Sequence, residues 1–445
     1  LGLRYELNVP IYDKYDRFGN FVLGLDKLVI ADNRALPDLD QRLAAAGLTG
    51  RTALARDVGL PRSLTFAQKR NFAPRFGLAW RPFGNRLVVR GGYGIYYAGS
   101  FLNSIKNDLG ATFPFVVNQT FSRVATNPNA LTLANPFPAD RATISGVTTA
   151  NGFETRPPAQ YMQAWNLTLE RELKAGLAVE AGYTGSKGTH LGRRYNINQP
   201  FRVLELRLPT GSFPRPYAGF NTINYTAFGS NSIYSAGVFT LRKRFSHGVF
   251  YRASYVFSKT IDDASIISGS STGGFSGAQD ARNLRMERGR SDYDSRHVFT
   301  MNFTYEAPRT WNRWARGWQL AGTGRAASGQ PFTPRLSNAS LDLGEATRPD
   351  RIGSGKLAQP TPERWFDASA FLPVPTGAYR FGNSGRNILD GPGRILLNFS
   401  LSKKFYVAER QWLQFRWEAF NVTNHPNFGP PQDAIDAATV GTITR

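Results

Sequence analysis

The feature that most constrains this chain is a series of segments in which apolar and polar residues alternate strictly. In VFYRASYVFSK, residues 249–259, Val249, Tyr251 and Tyr255 alternate with Arg252 and Ser254. Successive side chains of a β-strand lie on opposite faces, so this segment predicts a strand with one apolar and one polar face. The apolar face must contact either a protein core or lipid.

The pattern recurs in about eleven segments, and many of them reach roughly 9 to 11 residues. Strands of globular proteins average about 5 to 6 residues, whereas roughly 9 to 11 is the length that crosses a bilayer at a tilt. The predicted strands lie in 1–9, 75–83, 86–97, 164–173, 177–183, 235–245, 249–259, 297–305, about 317–327, 394–405 and 412–421.

The connections between these segments alternate between short and long. Short ones lie at 82–85, 174–176, 246–248, after Tyr305 and at 406–410. The long ones are rich in Gly, Pro, Asn and Ser and are expected to be irregular loops; they lie at 10–74, 98–163, 185–233, 260–294 and 328–393. Short turns at one end and long loops at the other predict an all-β fold, an antiparallel up-and-down transmembrane β-barrel with short periplasmic turns and long extracellular loops.

Three cations interrupt the apolar faces of the predicted strands, namely Arg171, Lys243 and Lys403. A Lys or Arg on the lipid face costs about 2–4 kcal/mol at the bilayer midplane and about 0–1 kcal/mol near the interface. All three lie close to a short turn, where a long side chain reaches the headgroups. Their position indicates that the apolar faces of the strands contact lipid and not a protein core.

The composition of the chain constrains its function less than the alternation of apolar and polar residues does. The net charge of +22 suits nucleic acid, but the cations are dispersed and mostly Arg, which pairs equally well with lipid phosphates. There is no cysteine, and the four His have no metal-ligand spacing. No cofactor, metal site or catalytic motif is predicted, so we expect a protein that is not an enzyme and binds no nucleic acid.

Several blocks in order resemble the barrel of TonB-dependent receptors, most closely the acidobacterial-type branch with an N-terminal carboxypeptidase-regulatory-like domain. The blocks are NFAPRFGLAWRPFG, VVRGGYGIYY, QAWNLTLERELKAGLAVEAGYTGSKGTHL, YVFSKTIDDAS, SDYDSRHVFTMNFTYEAP and FRWEAFNVTNHPNFG. The resemblance covers essentially the whole chain.

The resemblance implies a barrel of 22 strands, an internal plug and energisation by the inner-membrane TonB complex through an N-terminal TonB box. We expect residues 1–445 to be the C-terminal part of the barrel, about 11 of its 22 strands, since plug, TonB box and regulatory-like domain are absent from this sequence. A half-barrel with unpaired edges in lipid is not expected to transport alone.

Candidate ligand-binding residues are charged side chains that strand parity places on the lumen side. Asp292, Asp294 and Arg296 share that side of one strand; Arg252 and, if the strand continues, Asp262 share it on the preceding strand. This group is predicted near the extracellular mouth, where it would contact an arriving polar solute, bind a divalent ion or hold the loop through Arg–carboxylate pairs. Further lumen-facing residues are Arg4, Glu6, Arg90, Glu170, Glu180, Arg416 and Glu418.

The predicted function is active import of a large or scarce solute across the outer membrane of a Gram-negative bacterium, by a monomer in contact with membrane lipid and lipopolysaccharide. Two alternatives stay open at this point: a passive porin or secretion barrel, and a soluble basic β-protein that binds glycan or nucleic acid. The solute itself is not predicted.

Overall fold

The computed structural model describes the chain except residues 33, 35, 85, 100–104, 111, 117, 122–141, 146–148, 201–213, 267–276, 309, 313, 338–346, 376, 409–410 and 445. Eleven long strands dominate it. They are β1 (Gly2–Asn8), β2 (Gln68–Trp80), β3 (Leu87–Tyr97), β4 (Tyr161–Glu172), β5 (Leu177–Asn196), β6 (Ile223–Ser246), β7 (Val249–Asp262), β8 (His297–Glu306), β9 (Trp318–Ala327), β10 (Arg394–Ala408) and β11 (Gln411–Ala419).

These strands form one antiparallel sheet in which each pairs with the next in chain order. Representative pairs are Glu170 with Glu180 between β4 and β5, and Tyr251 with Phe303 between β7 and β8. The path runs from β1 to β11, and within the described ranges these two end strands do not pair with each other. The predicted all-β, up-and-down architecture is confirmed as a partial barrel of eleven strands.

Two strands run much further than the alternation predicts. β5 has 20 residues and β6 has 24, so the connection predicted at 185–233 shrinks to 197–222. The segment GSKGTH, residues 185–190, lies inside β5, and His190, at a φ of 57°, falls within the first of two shifts of register. Alternation ends there because both faces of the sheet meet water or loops beyond the membrane, while backbone hydrogen bonding continues.

The outward face of the sheet is apolar and uncovered. Its large side chains include Phe239 and Phe257, which are 55% and 50% exposed. The ring centroids of Phe303 and Phe399 lie 5.9 Å apart across Gly322 of β9, and among the described residues no second sheet or helix packs over these strands. Lipid, not protein, is therefore the medium that this face meets.

Gly322 lets the two neighbouring rings close over β9. A Cβ at this position would lie 2.5 Å from Cε1 of Phe303 and 3.0 Å from Cδ1 of Phe399. The glycine thus leaves space that aromatic side chains of β8 and β10 fill, which keeps the outward face continuous.

The sequence predicted irregular loops for the long connections, but their described parts fold into two lobes at one end of the sheet. The first loop lobe comprises the described residues of 10–67, 105–116 and 150–160, together with 197–200 and 214–222. Its central sheet joins Gly19–Val22, Lys27–Ile30 and Thr52–Leu54, beside the helix α1 (Leu39–Ala45). Phe21 and Leu28 face one buried cluster, which includes Leu39 and Leu43 of α1, while Val22 and Val29 face another.

The second loop lobe comprises residues 277–296, 331–337, 347–375, 377–390 and 426–443. Phe332, Phe366, Phe371 and Leu389 form its buried centre. The segment that follows β11 joins this lobe, since the amide of Trp365 donates to the carbonyl of Gly441 over 2.8 Å. All long connections and this segment therefore lie at the same end of the sheet.

The remaining elements are short. Strands of two to four residues lie at Asn118–Phe121, Ala142–Ser145, Ala150–Phe153, Gly289–Arg290, Pro331–Phe332, Asp350–Arg351, Phe371–Leu372 and Leu389–Asp390. Single helical turns lie at Ala55–Val58, Lys106–Gly110, Lys174–Gly176, Leu284–Glu287 and Ala368–Ala370. Among the described residues, no helix is both long and apolar enough to cross a membrane.

Two lysines of the outward face bind the backbone of the short turns. Nζ of Lys403 donates to the carbonyls of Trp314 and Arg316 over 2.7 and 2.5 Å. Nζ of Lys243 donates to the carbonyl of Ala175 over 2.9 Å. Both ammonium groups thus reach the end of the strands, as their sequence position predicts for cations near a membrane interface.

Candidate functional site

Charged side chains on the inner face of the sheet are paired across several strands. Glu170 of β4 accepts hydrogen bonds from Arg90 of β3 at 2.7 Å and from Arg242 of β6 at 2.8 Å. Arg242 reaches over β5, where its register partner is the small residue Ala178. This charge network is open to water, and an exposed pair of this kind adds about 0–1 kcal/mol.

Other predicted lumen residues also lie in pairs. Arg4 and Glu6 of β1 are 3.1 Å apart, and Arg416 and Glu418 of β11 are 3.8 Å apart. The side chains of Arg416 and Glu418 are 57% and 47% exposed, so both stay accessible on the inner face. They are predicted ligand-binding residues, and the geometry leaves them free to meet a solute in the lumen.

The predicted mouth cluster is built around an arginine from another loop. Asp262 ends β7, and its carboxylate pairs with the guanidinium of Arg386 in the second loop lobe. The same guanidinium lies 3.8 Å from Oδ1 of Asp292 and donates to Oγ of Ser265 over 2.9 Å. Asp262, Asp292 and Arg386 are all buried, so these charges face one another and not the lumen.

Asp294 is held by a second arginine in the same lobe. Nε of Arg290 donates to its Oδ2 over 2.8 Å, and the amide of Thr260 donates to its Oδ1 over 2.7 Å. Arg290 also binds the carboxylate of Asp390. Burial lowers the pKa of Arg290, but the bonds to Asp390 and Asp294 outweigh it and leave that pKa raised. The arrangement joins the loop before β8 to the connection between β9 and β10 within the second lobe.

The sequence grouped Arg252 with Asp262 at the mouth, and this grouping is wrong. Both lie on β7, but ten positions apart, which is about 33 Å along a strand. Arg252 is exposed near the short-turn end, where its register partners are Arg242 and Asn302. Arg296 is half-buried beside β7, and its carbonyl accepts from the amide of Ser258 over 2.9 Å.

None of the described carboxylates or histidines forms a group of three that could hold a metal ion. At the mouth, the oxygens of Asp262, Asp292 and Asp294 bind guanidinium, amide and hydroxyl groups. Of the three roles that the sequence left open, holding the loop is the one this geometry performs. Contact of the cluster with an arriving solute stays a prediction.

The structure adds residues that sequence reasoning missed. Nη1 of Arg348 donates to Oε2 of Glu287 over 2.7 Å, and both side chains are buried in the second loop lobe. Oε1 of Glu287 accepts from the amide of Gln279 over 3.0 Å. Strand parity could not find them, since they lie in loops and 61 positions separate the ion pair.

Charges of the loop lobes have shifted pKa values in both directions. The guanidinium of Arg380 binds both oxygens of Asp350, over 2.6 and 2.5 Å, and lowers the pKa of that carboxyl group. Burial raises the pKa of Asp108 in the first lobe, against the opposing effects of Arg194 and Thr226. The ion pairs therefore tie loop stability to pH.

Eleven antiparallel strands with an apolar outer face, a polar inner face and loops folded at one end define a membrane β-barrel protein. The chain belongs to the outer membrane beta barrel domain family, whose sequence profile matches residues 1–445. It is thus a protein of the outer membrane.

Solved structures with similar folds include the outer membrane transporter YddB from Escherichia coli, at 12% identity and a TM-score of 0.47, covering 84% of this chain and 39% of that one. Another is the FrpB iron transporter from Neisseria meningitidis, at 10% identity and a TM-score of 0.40, covering 85% and 38%. A third is the ferric-catecholate import receptor Fiu from E. coli, at 8% identity and a TM-score of 0.37, covering 85% and 34%.

This chain therefore spans only about a third to two fifths of the length of these three proteins. No curated protein matches its sequence.

Proposed function

We propose that this chain is the C-terminal half of the barrel of a TonB-dependent outer membrane receptor, which imports a large or scarce solute without changing it chemically. The observation that carries the proposal is the meander of eleven strands with every long connection at one end. Together with the blocks that resemble TonB-dependent receptors, this meander fits strands 11 to 21 of a 22-stranded barrel.

The folded loop lobes support a receptor over a passive pore. Each lobe has its own apolar centre, and buried ion pairs such as Arg348 with Glu287 fix the second lobe in one arrangement. A fixed surface at the mouth is what selective capture of a solute requires, because ordering loops on binding would cost affinity. A pore that only sieves by size has no comparable need.

The charged inner face of the sheet is consistent with a water-filled lumen that other parts of the protein close and fill. Its charges at Arg90, Glu170 and Arg242 are paired but open to water. In the proposed receptor, a plug fills this lumen and the missing strands close the sheet, while a TonB box outside these 445 residues provides energisation.

Conductance of the complete protein in a planar lipid bilayer tests this proposal without knowledge of the solute. A plugged receptor is expected to show no steady conductance, and deletion of the plug should produce large, stable channels. The matched control is deletion of the TonB box alone, which should leave the barrel closed. Steady channels formed by the intact protein would contradict the proposal and favour a passive porin.

A further inference from the structure

A basic pocket lies at the long-loop end of β2 to β4, beside β5. Its volume is about 930 Å³. Three cations, a histidine and two tyrosines are among the residues that line it: Lys69, Arg70, Arg156, His190, Tyr97 and Tyr161.

The two tyrosines show on which side of the sheet the pocket opens. Tyr97 of β3 and Tyr161 of β4 are register partners, with ring centroids 5.8 Å apart. They stand an even number of residues from Tyr93 and Trp165, so all four rings lie on the outward, lipid-facing side. Because β2, β3 and β4 end here, the pocket lies at the level where outer-leaflet headgroups begin.

The cations of this pocket lack the carboxylate partners seen elsewhere in the chain. No Asp or Glu of the described residues lines it, and Lys69, Arg70 and Arg156 form no ion pair within the described part of the chain. On the inner face, by contrast, Arg90 and Arg242 share Glu170. The pocket therefore presents positive charge that no carboxylate among its described lining residues neutralises.

The pocket wall is braced. The guanidinium carbon of Arg156 lies 3.7 Å from the ring centre of Phe66. Nε2 of Gln68 donates to the carbonyls of Pro157 and Pro158, each over 3.1 Å, which fixes the segment that carries Arg156. Oη of Tyr5 donates to the carbonyl of Lys69 over 3.0 Å. These contacts hold the cation-bearing backbone in place before any ligand arrives.

We propose that this pocket binds the phosphate-bearing headgroup of an outer-leaflet lipid. A guanidinium group can donate two parallel hydrogen bonds to two oxygens of one phosphate. Tyrosine side chains are favoured at the boundary between hydrocarbon and water. A lipid is the occupant because the pocket opens on the lipid-facing side, away from the lumen. The proposal rests on the outer membrane location and is independent of solute import.

The test uses the complete protein in neutral detergent, with diphosphorylated lipid A as the probe and native mass spectrometry as the readout. The triple variant Lys69→Gln/Arg70→Gln/Arg156→Gln should weaken lipid A binding on the order of a hundredfold, about fivefold for each cation. The control variant Arg51→Gln/Arg285→Gln/Arg288→Gln removes three exposed cations from other parts of the loops and should keep the parental affinity.

Further binding measurements distinguish a lipid headgroup from free phosphate as the ligand. Dephosphorylated lipid A should bind far more weakly than the diphosphorylated form, and higher salt should weaken binding of the latter. If the triple variant fails to fold, the single variant Arg156→Gln should still show the fivefold loss. Equal binding by parent and variant, or binding of inorganic phosphate as tight as that of lipid A, would overturn the proposal.

Discussion

Arg348 and Glu287 form an ion pair of 2.7 Å in which neither side chain reaches solvent. Sixty-one positions separate them along the chain, and the pair joins the segment before β8 to the long connection between β9 and β10. Together with the buried Arg386 and the half-buried Arg290, it cross-links the connections that form the second loop lobe.

Replacing Glu287 with Ala should destabilise the second loop lobe by about 3–5 kcal/mol, because Arg348 would remain buried without its counter-charge. Hydrogen exchange of the amides of residues 279–287 and 347–350 measures the effect. The double variant Glu287→Leu/Arg348→Met removes both charges and should recover most of the loss. Equal exchange in Glu287→Ala and the parent would show that the pair does not hold the lobe.

Replacing Gly322 with Ala should destabilise the barrel by about 1–3 kcal/mol through overpacking against Phe303. Urea unfolding of protein inserted in lipid vesicles measures the change. Gly77→Ala is the matched control, since a Cβ at Gly77 meets nothing within 4 Å. Adding Phe303→Leu to the Gly322 variant should restore stability; if it does not, crowding by that ring is not the cause.

Replacing Lys403 with Met should cost about 1–3 kcal/mol, because the carbonyls of Trp314 and Arg316 would lose their donor beside the membrane. Lys404→Met on the same strand is the control, with a loss below about 1 kcal/mol from its contact with the ring of Trp412. Thermal unfolding in detergent compares the two variants. Similar losses for both would argue against a special role for the turn carbonyls.

The Asp350–Arg380 pair should make the second loop lobe sensitive to acid. The pKa of Asp350 is lowered in the folded state, so its contribution is present above the unfolded value of 3.8 and is lost as pH falls through the folded pKa. Asp350→Asn should remove this part of the pH dependence. Hydrogen exchange of residues 349–352, corrected for intrinsic rates, follows it from pH 5 downward, and an unchanged slope in the variant would exclude Asp350 as the source.

The strands of the barrel could be predicted from sequence because lipid and lumen impose opposite polarity on alternate residues. That constraint placed β7 and β8 within a few residues of their observed bounds, and the continuation of β7 to Asp262 is confirmed. It failed for β5 and β6 beyond the membrane, where both faces are wet or covered by loops and no alternation marks the strand.

The loop lobes could not be predicted in the same way. Their buried pairs join positions far apart in sequence, such as Asp262 with Arg386, and no local period records such a contact. Parity placed Asp292, Asp294 and Arg296 on the lumen side of one strand, but β8 begins at His297, so all three lie in the connection before it. Asp262 and Asp292 lie close together because both contact Arg386. Strand parity could not predict which arginines pair with these carboxylates.

Arg386 binds the carbonyls of Asp262 and Glu287 while its own backbone belongs to the connection between β9 and β10. The connections at the mouth above β7 to β10 therefore depend on one another, and replacing one of them alone would break contacts with the others. A chimaera that exchanges only one of these connections with another receptor would leave a guanidinium or a carboxylate without its partner. Engineering of selectivity at this mouth must therefore transfer 260–296, 331–393 and 426–443 together.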